Sequence, residues 1–178
     1  MRSIAILASL VLLSCSSNSG PPTTGNPKTP VKHGLTLFLT AEIQGTTEPC
    51  GCTADPLGDL ARTAQLIAQA RSQGPVLVFD GGSTLYSQKR LSDTSRPQEQ
   101  LKSALIEKSL GEIIKVDAMG LGPYDLADGA AKVRPARQAA NFSANGVALE
   151  APKVLEAGGI KVGVFGLVSQ AALAGIDG

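Results

Sequence analysis

Thr40-Ala41-Glu42-Ile43-Gln44-Gly45 leaves the apolar run Leu35–Leu39, and Glu48-Pro49-Cys50-Gly51-Cys52 follows within one loop. A carboxylate, an amide and two thiols therefore gather at the carboxyl end of an expected strand. That is where open α/β sheets carry their binding sites. Two further strand ends add polar groups. Asp80-Gly81-Gly82-Ser83 follows Val76–Phe79, and Gly122-Pro123-Tyr124-Asp125 follows Ala118–Leu121. Glu42, Gln44, Cys50 and Cys52 are candidate metal ligands, because carboxylate, amide and thiolate all donate to divalent or soft cations. Asp80, Ser83, Tyr124 and Asp125 are candidate crevice residues. Asp80 is also suited to bonding the N–H groups of its own turn, and Asp125 to capping a following helix. No residue is nominated as catalytic.

These groups need strands and helices to hold them. Leu35–Ala41 reads as a strand buried on both faces. Asp59 is a candidate cap for a helix whose inward stripe is Leu60, Ala64, Ile67 and Ala68, with Gly74-Pro75 as its stop. Pro75–Asp80 reads as a second strand and Ser83–Pro97 as a surface loop. Gln98–Ile114 reads as a helix with Leu101, Leu105, Ile106, Leu110 and Ile113 inward. A third strand is expected over Val116–Leu121, a short helix over Asp125–Val133 and a short strand over Asn141–Asn145. Val154–Ala157 and Ile160–Leu167, joined by Gly158-Gly159, read as a hairpin. The alternation implies an α/β fold: a mostly parallel sheet with βαβ crossovers and a C-terminal hairpin.

The 178 residues and a net charge of +1 suit one domain, with no electrostatic case for nucleic acid. Trp is absent and aromatics are 3%, which argues against a base-stacking surface. Ile4–Leu13 behind Arg2 has the length of a signal-peptide core rather than a bilayer span. Leu12-Leu13-Ser14-Cys15 resembles the lipobox of bacterial lipoproteins, which implies lipidation at Cys15, a membrane anchor and a place in the bacterial cell envelope. Ser16 after the cysteine leans toward the outer membrane or a periplasm-facing site. Residues 1–14 are thus expected to be a signal peptide, 15–33 a flexible tether rich in Ser, Pro and Gly, and 34–178 the folded domain.

Six short stretches, in order, resemble the N-terminal half of the calcineurin-like metallophosphoesterases, in the secreted 5′-nucleotidase branch. They are Thr40–Gly45, Gly58–Arg62, Asp80–Ser83, Gly122–Asp125, Ser143-Ala144-Asn145 and Gly159–Leu167. The resemblance implies part of a four-layer sandwich, an incomplete one here, and a family chemistry run by two metal ions. It also implies substitutions at their ligands. Glu42 stands for an Asp, Gln44 for a His, Ser83 for the bridging Asp, Pro123 for an Asn and Tyr124 for a catalytic His. Two adjacent divalent ions need an anionic bridge, which a serine does not supply.

The Glu48–Cys52 loop resembles that of a variant group of secreted phosphoesterase-like proteins with an E-P-C-G-C loop. Its chemistry stays open. Cys50 and Cys52 suit a strained, reducible disulfide, a structural disulfide, or a soft-metal site for Zn or Cu; free thiols are the remaining alternative. No C-x-x-C-H run is present, so no covalently bound haem is expected. Besides an anchored interaction domain in which Cys50–Cys52 only stiffens a loop, two functions follow as expectations. One is a binding or redox-accessory module on a degenerate site. The other is the front part of a phosphoester hydrolase completed by a C-terminal half. Half a sandwich leaves a sheet face open, which predicts a homo-oligomer or a protein partner covering it.

Overall fold

The computed structural model describes residues 34–49, 60–174 and 176. The expected signal peptide, the tether, lipidated Cys15, the Asp59 cap and the Cys50 and Cys52 chemistry lie outside the described residues.

Three parallel strands make the central sheet, in the order β1 (Thr36–Thr40), β2 (Val76–Asp80), β3 (Ala118–Met119). Thr36 pairs with Val76 and Thr40 with Asp80, so the first two strands end level. The β3 register sets Met119 beside Asp80. All three polar strand ends therefore emerge at one edge. A parallel bridge from Gly120 to Gln138 extends the pairing to β4 (Arg137–Gln138), which pairs in parallel with β5 (Leu149–Glu150). Helix α1 (Leu60–Gln73) joins β1 to β2, and α2 (Arg96–Lys108) joins β2 to β3. The C-terminal hairpin is β6 (Lys153–Ala157) and β7 (Ile160–Val164), antiparallel. Gly158 and Gly159 both have positive φ, which a two-residue hairpin turn of this twist requires. The α/β class, the parallel sheet and the hairpin agree with the sequence reading. Among the described residues no helix is long and apolar enough to cross a membrane.

The main core lies between the sheet and the two helices. It joins Val78 and Met119 to Ile67, Ile106, Leu110 and Ile114. Burying each of these large side chains contributes about 1.5–3 kcal/mol. Past Lys108 the helix continues as a π-helical turn, Ser109–Ile114, ending at left-handed Lys115. Arg71 of α1 caps it by donating to Ile114 O at 2.5 Å and Lys115 O at 2.9 Å. A second cluster, around Leu121, Val133, Ala139 and Val168, packs the C-terminal third.

Several sequence expectations are corrected here. Strand β1 is not buried on both faces. It is the sheet edge, and Leu39 on its far face is 77% exposed. Ala68 is exposed, so the α1 stripe is Leu60, Ala64 and Ile67. The α2 face is rotated: Leu101, Leu105 and Ile113 point outward, whereas Glu99 and Ser103 point inward with Ile106 and Leu110. Glu99 is held there because its carboxylate accepts the Ser87 N–H at 2.8 Å and Lys102 at 3.1 Å. Burial alone pushes the Glu99 carboxyl up, but those bonds outweigh it and hold it below the usual range. Ser83–Pro97 is not a surface loop throughout, since Thr84, Leu85, Tyr86 and Leu91 are buried. The expected helix over Asp125–Val133 is two 3₁₀ turns, Pro123–Leu126 and Ala130–Lys132, separated by Gly129 at positive φ. Asn141–Asn145 is not a strand. The chain pairs earlier, at Arg137–Gln138, and Ser143 and Asn145 lie in an exposed turn. Asn141 instead bonds both backbone groups of Val168, at 2.8 and 2.9 Å.

Candidate functional site

The three strand-end loops are stitched to one another. The loop after β1 runs along the loop after β2 through Glu42 N to Gly82 O, Gln44 N to Ser83 O and Gly45 N to Thr84 O, all near 3.0 Å. Glu42 and Gln44 both take left-handed backbone conformations, as does Ser83 facing them. Such conformations are costly for residues with a Cβ and cluster where function over-determines the backbone. The Gln44 amide donates to Glu42 Oε2 at 2.5 Å. Glu42 is exposed and Gln44 half-buried.

The loop after β2 is tied to the turn after β3 by Asp125. Its Oδ2 accepts the N–H groups of Ser83 (2.9 Å) and Gly122 (2.8 Å), and its Oδ1 those of Thr84 (2.8 Å) and Leu85 (3.1 Å). Asp125 is fully buried. It is a clamp beneath the loops, and its oxygens do not face an open crevice.

Asp80 makes the matching knot between β1 and β2. Thr40 Oγ1 donates to one carboxylate oxygen at 2.7 Å; Thr84 Oγ1 (2.5 Å) and Gly82 N (2.9 Å) donate to the other. It is 3% exposed. Burial raises its pKa above the usual carboxylate value, against the opposing pull of those three bonds and of the Arg137 charge.

Ser83 is buried against Gly122, and Tyr124 is half-buried with the Lys89 ammonium 5.9 Å from its ring centroid, a cation–π contact. A cavity of 500 Å³ opens beside the ends of β1, β2 and β3, walled by Leu39, Phe79, Val162, Val164 and Phe165. Of the four crevice residues expected from sequence, Asp80 lines it; Ser83, Tyr124 and Asp125 do not. Sequence reasoning passed over Thr40, Thr84 and Arg137. Thr40 stands between apolar neighbours like an ordinary strand residue, and Thr84 follows Ser83 in a Gly-rich turn. Arg137, three residues after Arg134, carries no signal of burial.

The donor set can be set against a metal centre. Among the described residues no three His, Cys, Asp or Glu side chains come together. The oxygens of Asp80 and Asp125 are already taken by seven internal donors. Glu42 remains, beside an amide. These residues do not fit a pair of divalent ions.

The architecture matches a solved structure, the 5′-nucleotidase precursor of Thermus thermophilus, with a TM-score of 0.56 at 22% identity. The fold is 5′-nucleotidase-like. The match covers 78% of this chain but 29% of that one, so the chain spans under a third of the neighbour's length. Neither a family model nor a curated protein matches the sequence. The 5′-nucleotidase-like fold agrees with the metallophosphoesterase resemblance read from the motifs. At this identity it speaks to the fold alone.

Proposed function

We propose that this chain is a lipid-anchored protein of the bacterial cell envelope whose 5′-nucleotidase-like domain carries a degenerate metal site. It acts as a binding or redox-accessory module and does not hydrolyse phosphoesters by itself. The observation that supports this most is the commitment of Asp80 and Asp125. Both buried carboxylates at the strand ends are consumed in holding the loops, and the neighbouring positions are Ser83, Pro123 and Tyr124. Proline offers no side-chain donor, and a neutral hydroxyl cannot bridge two dications. Glu42 and Gln44 are left to meet a ligand, with Cys50 and Cys52 close in sequence as thiol or soft-metal chemistry.

The test is an assay of the purified protein with generic phosphodiester and nucleotide substrates in added Mn²⁺, paired with calorimetric titration of Mn²⁺. We expect no turnover above the metal-only blank and no saturable heat. Turnover that disappears in Glu42→Ala would overturn the reading. The anchor is tested separately by metabolic labelling with radioactive palmitate. Label is expected in the native chain and not in Cys15→Ser; an unlabelled native chain refutes the anchor.

A second reading has one specific observation in its favour. The chain spans only 29% of its structural neighbour. A C-terminal half could then bring the missing ligands and make this the front part of a metal-dependent phosphoester hydrolase. Turnover by a longer product of the same gene, and none by this chain, would select that reading.

A further inference from the structure

Arg137 is a buried group to which the site described above assigns no role of its own. It opens β4 and is 0% exposed. Its Nη1 donates to Met119 Sδ at 2.9 Å, while Nε and Nη2 have no hydrogen-bond acceptor among the described residues. Nη2 stands 3.7 Å from Asp125 Oδ1, also 0% exposed. Burying a guanidinium with unfilled donors is costly, and such a group persists only where anions hold it. Asp125, in the turn after β3, pairs with it, and the Arg137 charge also acts on Asp80 of β2 and Glu107 of α2, the latter under the Arg134 charge as well. The first two form the floor on which the loops are stitched. A buried cation lowers the cost of keeping such carboxylates charged.

We propose that Arg137 is the resident counter-charge of the crevice floor: its guanidinium balances buried Asp125 and Asp80, so the three strand-end loops assemble on an internal cation. This rests on the degenerate-site reading, in which no bound ion takes that part. The residue is a positioning group. It touches the clamp, not a ligand.

The experiment is a double-mutant cycle on the full chain, read by urea unfolding with and without EDTA. Arg137→Met keeps the stem's volume and removes the charge, so a purely space-filling role predicts little change. We expect its folding equilibrium constant to fall by about a hundredfold or more. In Arg137→Met with Asp125→Asn, the combined loss should fall short of the product of the single losses by about tenfold. Arg137→Lys, which keeps the charge, should recover part of the loss. An Arg137→Met chain as stable as the native one, or a double variant showing the full product, overturns the proposal. If Arg137→Met does not fold, Arg137→Lys carries the test: it must fold, and its failure overturns the proposal. EDTA should leave the native midpoint unchanged. A midpoint that falls on chelation in Cys50→Ser with Cys52→Ser, and returns with Mn²⁺, strikes the degenerate-site reading instead, and the cycle still decides the role of Arg137.

Discussion

Asp125→Ala should remove about 4 kcal/mol or more of folding stability, a large part of the ~5–15 kcal/mol that holds an ordinary domain together. The reason is the number of donors on one carboxylate. Ser83, Thr84, Leu85 and Gly122 all aim backbone N–H groups at it, and it is fully buried. Each buried donor left unpaired costs about 1–3 kcal/mol. Water entering the hole would satisfy some of them, so the sum is not reached. The same change strips Arg137 of its nearest anion, and an uncompensated buried charge is itself expensive. Asp125→Asn should fall in between, because its oxygen can serve one side while its NH₂ faces donors on the other. Asp125→Glu should not rescue, since an extra methylene has no room in a filled site. Urea midpoints check the series. A loss under about 1 kcal/mol for the alanine variant would mean that the four N–H groups find partners elsewhere, and the clamp would lose its meaning.

What the sequence could show of this depends on the kind of signal. The three core elements Leu35–Ala41, Leu60–Gln73 and Val76–Asp80 are apolar runs or stripes bounded by Gly or Pro, and each was legible within a residue or two. The hairpin was legible from Gly158-Gly159 between β-branched residues. The face of α2 was not. Leu101 and Leu105 point outward, and Glu99 and Ser103 point inward. Glu99 is drawn in by the Ser87 N–H from the preceding loop, a partner beyond the reach of helical periodicity. The burial of Thr84 and Leu85 was hidden for a similar reason: Asp125, forty residues on, takes their N–H groups. At the candidate site, the gathering of Glu42, Gln44, Ser83 and Asp125 at one sheet edge was legible from the strand ends. The turn-bonding use of Asp80 was legible too, and Gly82 N does donate to it, whereas Asp125 read as a helix cap and its hold on the distant loop was not legible. A carboxylate reads the same in sequence whether it faces a ligand or four backbone amides.

The division of labour has a physical logic. The loops after β1 and β2 carry three left-handed residues with side chains, each of which costs about 1 kcal/mol or more in backbone strain. Something must hold them. The buried acids at the strand ends do so through seven hydrogen bonds. A group used in that way has its lone pairs pointed inward and has little left for a ligand. The cavity beside the strand ends is accordingly walled mostly by apolar groups, Phe79, Val162 and Phe165 among them, and Asp80 turns its bonded oxygens inward.

Gly122→Ala should be nearly as damaging as loss of Asp125, and for a reason that has nothing to do with backbone freedom. Gly122 sits at φ −128 and ψ 167, extended geometry open to any residue. Its constraint is space. A Cβ there would lie 2.8 Å from Ser83 Cα and closer still to Ser83 N and Oγ, below the 3.0 Å that real Cβ atoms respect. The backbone atoms cannot step aside. Ser83 N is fixed on Asp125, and Ser83 O receives Gln44 N, so moving Ser83 pulls on all three loops at once. Ordinary overpacking costs about 1–3 kcal/mol; here the neighbour is backbone, and about 3 kcal/mol or more is expected. Adding Ser83→Gly separates the causes. It removes Oγ and suits the left-handed φ of 59 at that position. It leaves Ser83 N where it is, so the pair Gly122→Ala with Ser83→Gly should recover only part of the stability. Full recovery in urea unfolding would show that the hydroxyl was the obstacle and that the loops are freer to part than the clamp on Asp125 allows.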